Sequence, residues 1–200
     1  MKTNLWKMLL SAFILLFALA GFSSAANAHG YVTKPGSRAY LGSTQFTNDT
    51  GLAPLNKNVG AVQYEPQSIE APKNTFITGK IASAAIDRFS AIDEQTATRW
   101  HKTDITTGTL AVNWKLTAQH RTSTWDYYMT KSNWDPNAPL NIQDFEKIAS
   151  IDDGGSLPNK DVEQKINIPS DRKGYNVILA VWNISDTVNA FYQVIDVNVK

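Results

Sequence analysis

Cysteine is absent from this chain, and histidine nearly so: only His29, His101 and His120 occur. Without cysteine there is no disulfide framework, no thiolate metal site and no cysteine nucleophile, so the fold must hold by packing alone. Any metal chemistry is left to imidazole, carboxylate and a chain-terminal amine. A charge excess is missing too, with 19 basic residues against 18 acidic ones. That balance argues against nucleic acid or an anionic membrane as a partner, since both favour a basic face, and it points to an uncharged partner.

The apolar run Met8 to Phe22 follows Lys2 and Lys7 and is closed by Ser23-Ser24-Ala25-Ala26-Asn27-Ala28. A positive flank, an apolar run and an Ala-x-Ala ending are the parts of a secretory signal, so residues 1–28 are expected to be cleaved and the remainder secreted, extracellular. An uncleaved anchor is the competing reading, because the run approaches bilayer-spanning length; the small-residue ending favours cleavage. The cut makes His29 the first residue. An amino-terminal histidine offers its free α-amine and its ring Nδ1 together, and the two close a six-membered chelate ring on one metal ion. Residues 29–200 suit a single domain that buries about 70% of its unfolded surface. Loss of Lys2 and Lys7 leaves 17 basic and 18 acidic residues.

Past the cut, Gly30-Tyr31-Val32 reads as one strand, broken by Pro35-Gly36-Ser37. From there to about Gly108 no periodicity persists, and the only helical hints are brief, such as Ile81 to Arg88. An irregular stretch of that length inside a compact domain is usually functional. Phe46, Tyr64, Phe76, Phe89 and Trp100 give it apolar weight, which argues against a linker. After Gly108 the pattern turns to period two: in Leu110 to Ala118 the even positions are apolar, as in a half-buried strand. Strands are expected over 124–130, 162–168, 175–184 and 190–199. The run Val177 to Trp182 is apolar on both phases and should be central. Between them Ile142, Phe145 and Ile148 recur every three residues behind an Asn141 cap, which predicts a short helix within 139–150. The whole reads as an all-β sandwich with a long loop-and-short-helix insertion after the first strand. Trp100, Trp114, Trp125 and Trp182 are expected in the core, while Trp134 sits in a turn with its role open.

His120 ends the alternating strand, where a rigid element places a side chain at the rim; alone it would read as a surface histidine. His101 lies between Arg99 and Lys102, which disfavour a nearby cation, and reads as a surface residue.

The strings His29-Gly30-Tyr31-Val32, Gln63-Tyr64-Glu65-Pro66-Gln67-Ser68-Ile69-Glu70, Thr96-Ala97-Thr98-Arg99-Trp100, Trp114-Lys115-Leu116-Thr117-Ala118-Gln119-His120, Ala180-Val181-Trp182 and Asp186-Thr187-Val188-Asn189-Ala190-Phe191-Tyr192-Gln193 run the length of the chain in order. Together they closely resemble the chitin-active bacterial lytic polysaccharide monooxygenases of auxiliary activity family 10, formerly called chitin-binding proteins. The resemblance implies a fibronectin-III-like or immunoglobulin-like β-sandwich and one copper ion per chain. Its implied ligands are the α-amine and Nδ1 of His29 and Nε2 of His120, a "histidine brace". Phe191 matches the family's axial aromatic, Ala118 the small residue on the opposite axial side, and Glu70 a nearby carboxylate that positions an oxygen co-substrate. Tyr64, Glu65, Pro66, Thr117, Asp186 and Asn189 match positions on a flat face around the metal. From the residues alone, Tyr64 reads equally as core and Glu65 as a solvated charge.

The implied chemistry is oxidation of chitin's glycosidic bond at the anomeric carbon, by a monomer acting on a crystalline chitin surface with an external electron donor and hydrogen peroxide or dioxygen. Two other readings remain. A glycoside hydrolase would need two facing carboxylates, for which Asp152-Asp153 or Asp93-Glu94 are the candidates. A non-catalytic chitin-binding or adhesion module would share the face and lack turnover. The residues around 46–57 form an insertion at one rim of the face.

Overall fold

The alternation of Leu110 to Ala118 is realised as an eleven-residue strand, β4 (Gly108–Ala118), whose Val112, Trp114 and Leu116 are buried. In this computed structural model, which describes residues 28–200, β4 is the middle of a three-stranded sheet between β1 (His29–Lys34) and β7 (Asp161–Ile168). The expected signal lies outside the described residues except for Ala28.

The second sheet runs β2-β9-β8-β5-β6, built from β2 (Glu70–Pro72), β9 (Asn189–Val199), β8 (Gly174–Ile184), β5 (Thr122–Thr130) and β6 (Phe145–Ser156). The two-phase apolar run does become the central strand β8. Ile178, Ala180 and Trp182 enter the core between the sheets, and Val177, Leu179 and Val181 enter a second core beneath the irregular segment. Trp114, Trp125 and Trp182 meet in the first core, with Trp125 and Trp182 stacked at 5.3 Å between ring centroids. At such a distance aromatic pairs gain about 1 kcal/mol beyond area burial. The expected β-sandwich is therefore present.

Residues 35–107 are short pieces: helices Arg38–Leu41 and Thr44–Thr50, 3₁₀ turns Gly60–Gln63, Pro66–Ser68 and Asp87–Asp93, and two short strands. The hint at 81–88 is mostly turn; the 3₁₀ helix starts only at Asp87. The two strands pair with one edge of β9. β2 lies antiparallel to its start, and β3 (Thr103–Ile105) lies parallel to its end.

A buried clamp holds the segment down. Arg38 Nε and Nη2 donate to the two carboxylate oxygens of Asp196 on β9 at 3.0 and 2.7 Å, and Nη1 donates to the Ile92 carbonyl at 2.8 Å. The guanidinium carbon stands 4.4 Å from the Trp100 ring centroid; that of Arg99 also lies over this ring, at 3.9 Å. Tyr175 donates to Asp196 Oδ1 at 2.7 Å, and burial followed by the Asp196 charge holds its phenol well above the usual range, so it stays a donor.

One expected element is corrected. Residues 139–150 hold only a 3₁₀ turn, Ile142–Asp144, capped as expected by Asn141, and then enter β6. Tyr127 pairs with Ala149 but Tyr128 with Lys147, so Ile148 is an extra residue at a bulge. The bulge switches faces: Phe145 joins the second core, while Ile148 and Ile151 pack on the first. A strand that changes face at a bulge mimics a three-residue spacing.

Candidate active site

The strand ends β1, β4, β8 and β9 meet at one end of the sandwich. His29 opens β1 and pairs with Ala118, the last residue of β4; Gly30 pairs with Leu116 across a register shift. A side chain at Gly30 would crowd this approach, because a Cβ would stand 2.7 Å from Leu116 Cδ2 and 3.2 Å from Trp182 Cζ3. That close approach seats His29 at the rim. His120 follows β4 by two residues, and its carbonyl accepts from Thr122 Oγ1 at 3.0 Å, which accepts in turn from the buried Trp182 Nε1 at 2.7 Å. The turn carrying His120 is thus tied to the core.

Phe191, on β9, lies against His29 with ring centroids 6.2 Å apart, and 5.1 Å from Trp182 on its other side. It is both a core aromatic and a neighbour of His29. Glu70 pairs with Phe191 in the β2–β9 register, and Asn189 Nδ2 donates to its carboxylate at 2.8 Å. Asp186, in the β8–β9 turn, brings Oδ1 to 2.8 Å from Nδ1 of His120. That approach lies off a good hydrogen-bond line, and the buried Nδ1 has no hydrogen-bond partner. It still places a carboxylate on one imidazole nitrogen, which leaves Nε2 for another task. Sequence reasoning put Asp186 on the sugar-facing surface and missed this neighbour.

The expected face residues divide. Tyr64 is 70% exposed and therefore not core. Glu65 Oε1 accepts from Arg88 Nη1 at 2.7 Å, a pairing unseen in the sequence. Thr117 is exposed, with its hydroxyl 3.4 Å from the His29 carbonyl. Pro66 is buried instead of presented; its carbonyl accepts from Gln193 Nε2 at 3.0 Å, so it anchors the turn beside Tyr64. His101 is exposed, as expected, and Trp134 donates to the Tyr175 carbonyl at 3.1 Å while packing on its ring.

Of the hydrolase candidates, Asp93 accepts from the Ser83 backbone N–H at 2.8 Å and Glu94 pairs with Arg99 at 2.7 Å. Asp152 accepts from Gly154 N within its own turn. Each carboxylate with such a partner is occupied structurally.

Among the described residues no group of three or more His, Cys, Asp or Glu side chains is placed to hold a metal. His29 pairs with Ala118, two residues before His120, and imidazole nitrogens are donors that suit copper.

A model of the family described as lytic polysaccharide mono-oxygenase, cellulose-degrading, matches residues 29–197, beginning at His29. The chain is 60% identical to a lytic chitin monooxygenase of Enterococcus faecalis over all of both chains. A family AA10 lytic polysaccharide monooxygenase from Photorhabdus luminescens superposes with TM-score 0.81 at 44% identity, covering 86% of this chain and 99% of that one. A Bacillus amyloliquefaciens CBM33 in complex with Cu(I) superposes with TM-score 0.77 at 42% identity, covering 86% of this chain and all of the other. The chain belongs to the lytic polysaccharide monooxygenases of auxiliary activity family 10.

Proposed function

We propose that this chain is exported, trimmed to begin at His29, and binds one copper ion to oxidise glycosidic bonds of crystalline chitin at the anomeric carbon. The observation that carries this reading is the pairing of His29 with Ala118, two residues before His120, with Phe191 against the His29 ring. Its support from outside the chain is the family's chemistry, the Enterococcus faecalis relative's action on chitin and a family match that starts at the proposed new terminus.

His29 would contribute its amine and Nδ1, and His120 its Nε2. When bound, copper supplies one-electron redox chemistry toward hydrogen peroxide or dioxygen. Everything else falls to the chain. Two neutral imidazoles and an amine add no charge, so the site tolerates both oxidation states. The amine must first lose its proton, from a reference pKa of about 8. Phe191 keeps competing donors from its side of His29. Glu70, held by Asn189, offers a carboxylate to an oxygen co-substrate, and Asp186 orients His120. Tyr64, Glu65 and Thr117 present one aromatic ring among polar groups, which suits stacking on a sugar beside its hydroxyls and acetamides.

In the net change, one oxygen enters the C–H bond at the anomeric carbon. With hydrogen peroxide the co-product is water; with dioxygen, an external donor also supplies two electrons, and two protons are consumed. The hydroxylated carbon then expels the neighbouring sugar as an alcohol, leaving a lactone that water opens to an aldonic acid.

Mass spectrometry of the secreted protein tests the first requirement: a chain beginning at His29 is expected, and any other start removes the amine from the site. The second requirement is tested by His120→Ala, which is expected to fold normally and lose tight copper binding. Retention of wild-type copper affinity would exclude the brace.

A further inference from the structure

We infer that Arg88 is a further substrate-binding residue, placed to donate to the acetamide carbonyl oxygens of the polysaccharide at the edge of the face marked by Tyr64. This rests on the chitin reading above. Arg88 belongs to the 3₁₀ turn Asp87–Asp93, which packs against the turn Gly60–Gln63 that precedes Tyr64. The approach is close: a Cβ on Gly60 would stand 3.1 Å from Ala91 Cβ. The two turns thus present Tyr64, Glu65 and Arg88 side by side.

The guanidinium is already held in place. Nη1 donates to Glu65 Oε1 at 2.7 Å, and Cζ lies 4.5 Å from the centroid of the buried Phe89 ring. A planar group fixed at one edge and stacked on one face loses little freedom when it binds something more. No other hydrogen bond from Arg88 to the described residues accompanies that to Glu65, and its side chain is 56% exposed. A guanidinium has five N–H donors, so most remain for a ligand.

The pair itself explains little, because an ion pair this exposed contributes little to stability. Its chemistry matches an N-acetylated sugar instead. The Glu65 carboxylate can only accept, from an acetamide N–H or a hydroxyl, and Arg88 can only donate, to a carbonyl or hydroxyl oxygen. A crystalline chitin surface repeats both partners, whereas a deacetylated one carries ammonium groups that Arg88 would repel.

The test is a set of binding isotherms on β-chitin with copper-loaded residues 29–200 and no reductant. Arg88→Ala is expected to bind about three- to tenfold more weakly, the size of a lost charge-assisted hydrogen bond partly shared with water. Arg88→Lys keeps the charge without the fork and should recover only part of the loss. The Cu(II) spectrum and melting temperature should match wild type in both variants. In a Glu65→Ala background, Arg88→Ala should still cost affinity, because the contact is direct. Wild-type binding by Arg88→Ala overturns the inference, and so does the absence of any further loss in the Glu65→Ala background, which would reduce Arg88 to a support for Glu65. Failure of the unsubstituted protein to bind β-chitin would instead remove the substrate reading itself.

Discussion

Removing the Arg38 guanidinium should unhinge the irregular segment from the sheet, and the size of the effect follows from burial. The Arg38 and Asp196 side chains are 0% and 1% exposed. Arg38→Ala leaves the Asp196 carboxylate in the interior with only neutral donors such as Tyr175, and breaking a buried pair from one side costs about 3–5 kcal/mol. The Ile92 carbonyl and Gln95 Oε1 also lose their donor. With a urea dependence of about 2 kcal/mol per molar, the unfolding midpoint should fall by roughly 1.5–2.5 M. Arg99 provides the internal control. It covers the same Trp100 ring but pairs with Glu94, whose side chain is 58% exposed, and donates to the Lys57 carbonyl at 2.8 Å. Arg99→Ala should therefore cost less, about 1–2 kcal/mol for the exposed pair and the backbone hydrogen bond together. Urea titrations followed by tryptophan fluorescence read both variants. A shift below about 0.5 M for Arg38→Ala, or equal shifts for the two, would refute the clamp.

Three further outcomes are expected. Burial raises the Asp93 pKa above its ordinary 3.8, against the hydrogen bonds from Ser83 that lower it. The stability tied to this group is present below pH 3.8 and is lost as pH rises through the raised value, so Asp93→Asn, which keeps an acceptor for Ser83, should raise the melting temperature at neutral pH and flatten its dependence above pH 3.8. Thermal scans across pH check this, and a lower neutral melting temperature would contradict it. Copper affinity, measured by competition titration, should weaken from pH 8 to pH 5 as the His29 amine holds its proton; a flat profile would exclude the amine as a ligand. Asp186→Ala should weaken copper binding about 10–100-fold by freeing the His120 ring, the usual scale for losing a ligand's outer partner. Unchanged affinity would return Asp186 to a purely sugar-facing role.

Strands β4 and β8 were legible because each carries its own pattern. β4 alternates cleanly, and β8, apolar on both phases, announced a strand covered on two faces. β6 was not legible, since the extra Ile148 at its bulge converts a period of two into an apparent period of three. The helices at 38–41 and 44–50 escaped for another reason. Their caps are ordinary, with Ser37 and Ser43 accepting from Tyr40 N and Phe46 N, but four and seven residues are too few to display a helical repeat. In the site, His29 follows from the expected cut, while His120, Glu70 and Phe191 were named through family resemblance, and the fold brings them to one rim. What sequence could not supply were pairings between distant residues. Nothing local to Arg88 announces Glu65, nothing local to Asp186 announces His120, and Pro66 looks presentable until Gln193 is found holding its carbonyl inside.

The proposed activity is oxidation of chitin by the His29-initiated chain through a copper site at this rim. Its most direct test is mass spectrometry of the soluble fraction after β-chitin is incubated with the copper-loaded protein, an external electron donor and oxygen or hydrogen peroxide. Chitooligosaccharides ending in aldonic acids, absent when copper or the donor is withheld and absent with His120→Ala, are the predicted result. Chitin that holds the protein yet releases no oxidised product would contradict the claim and leave a binding module in its place.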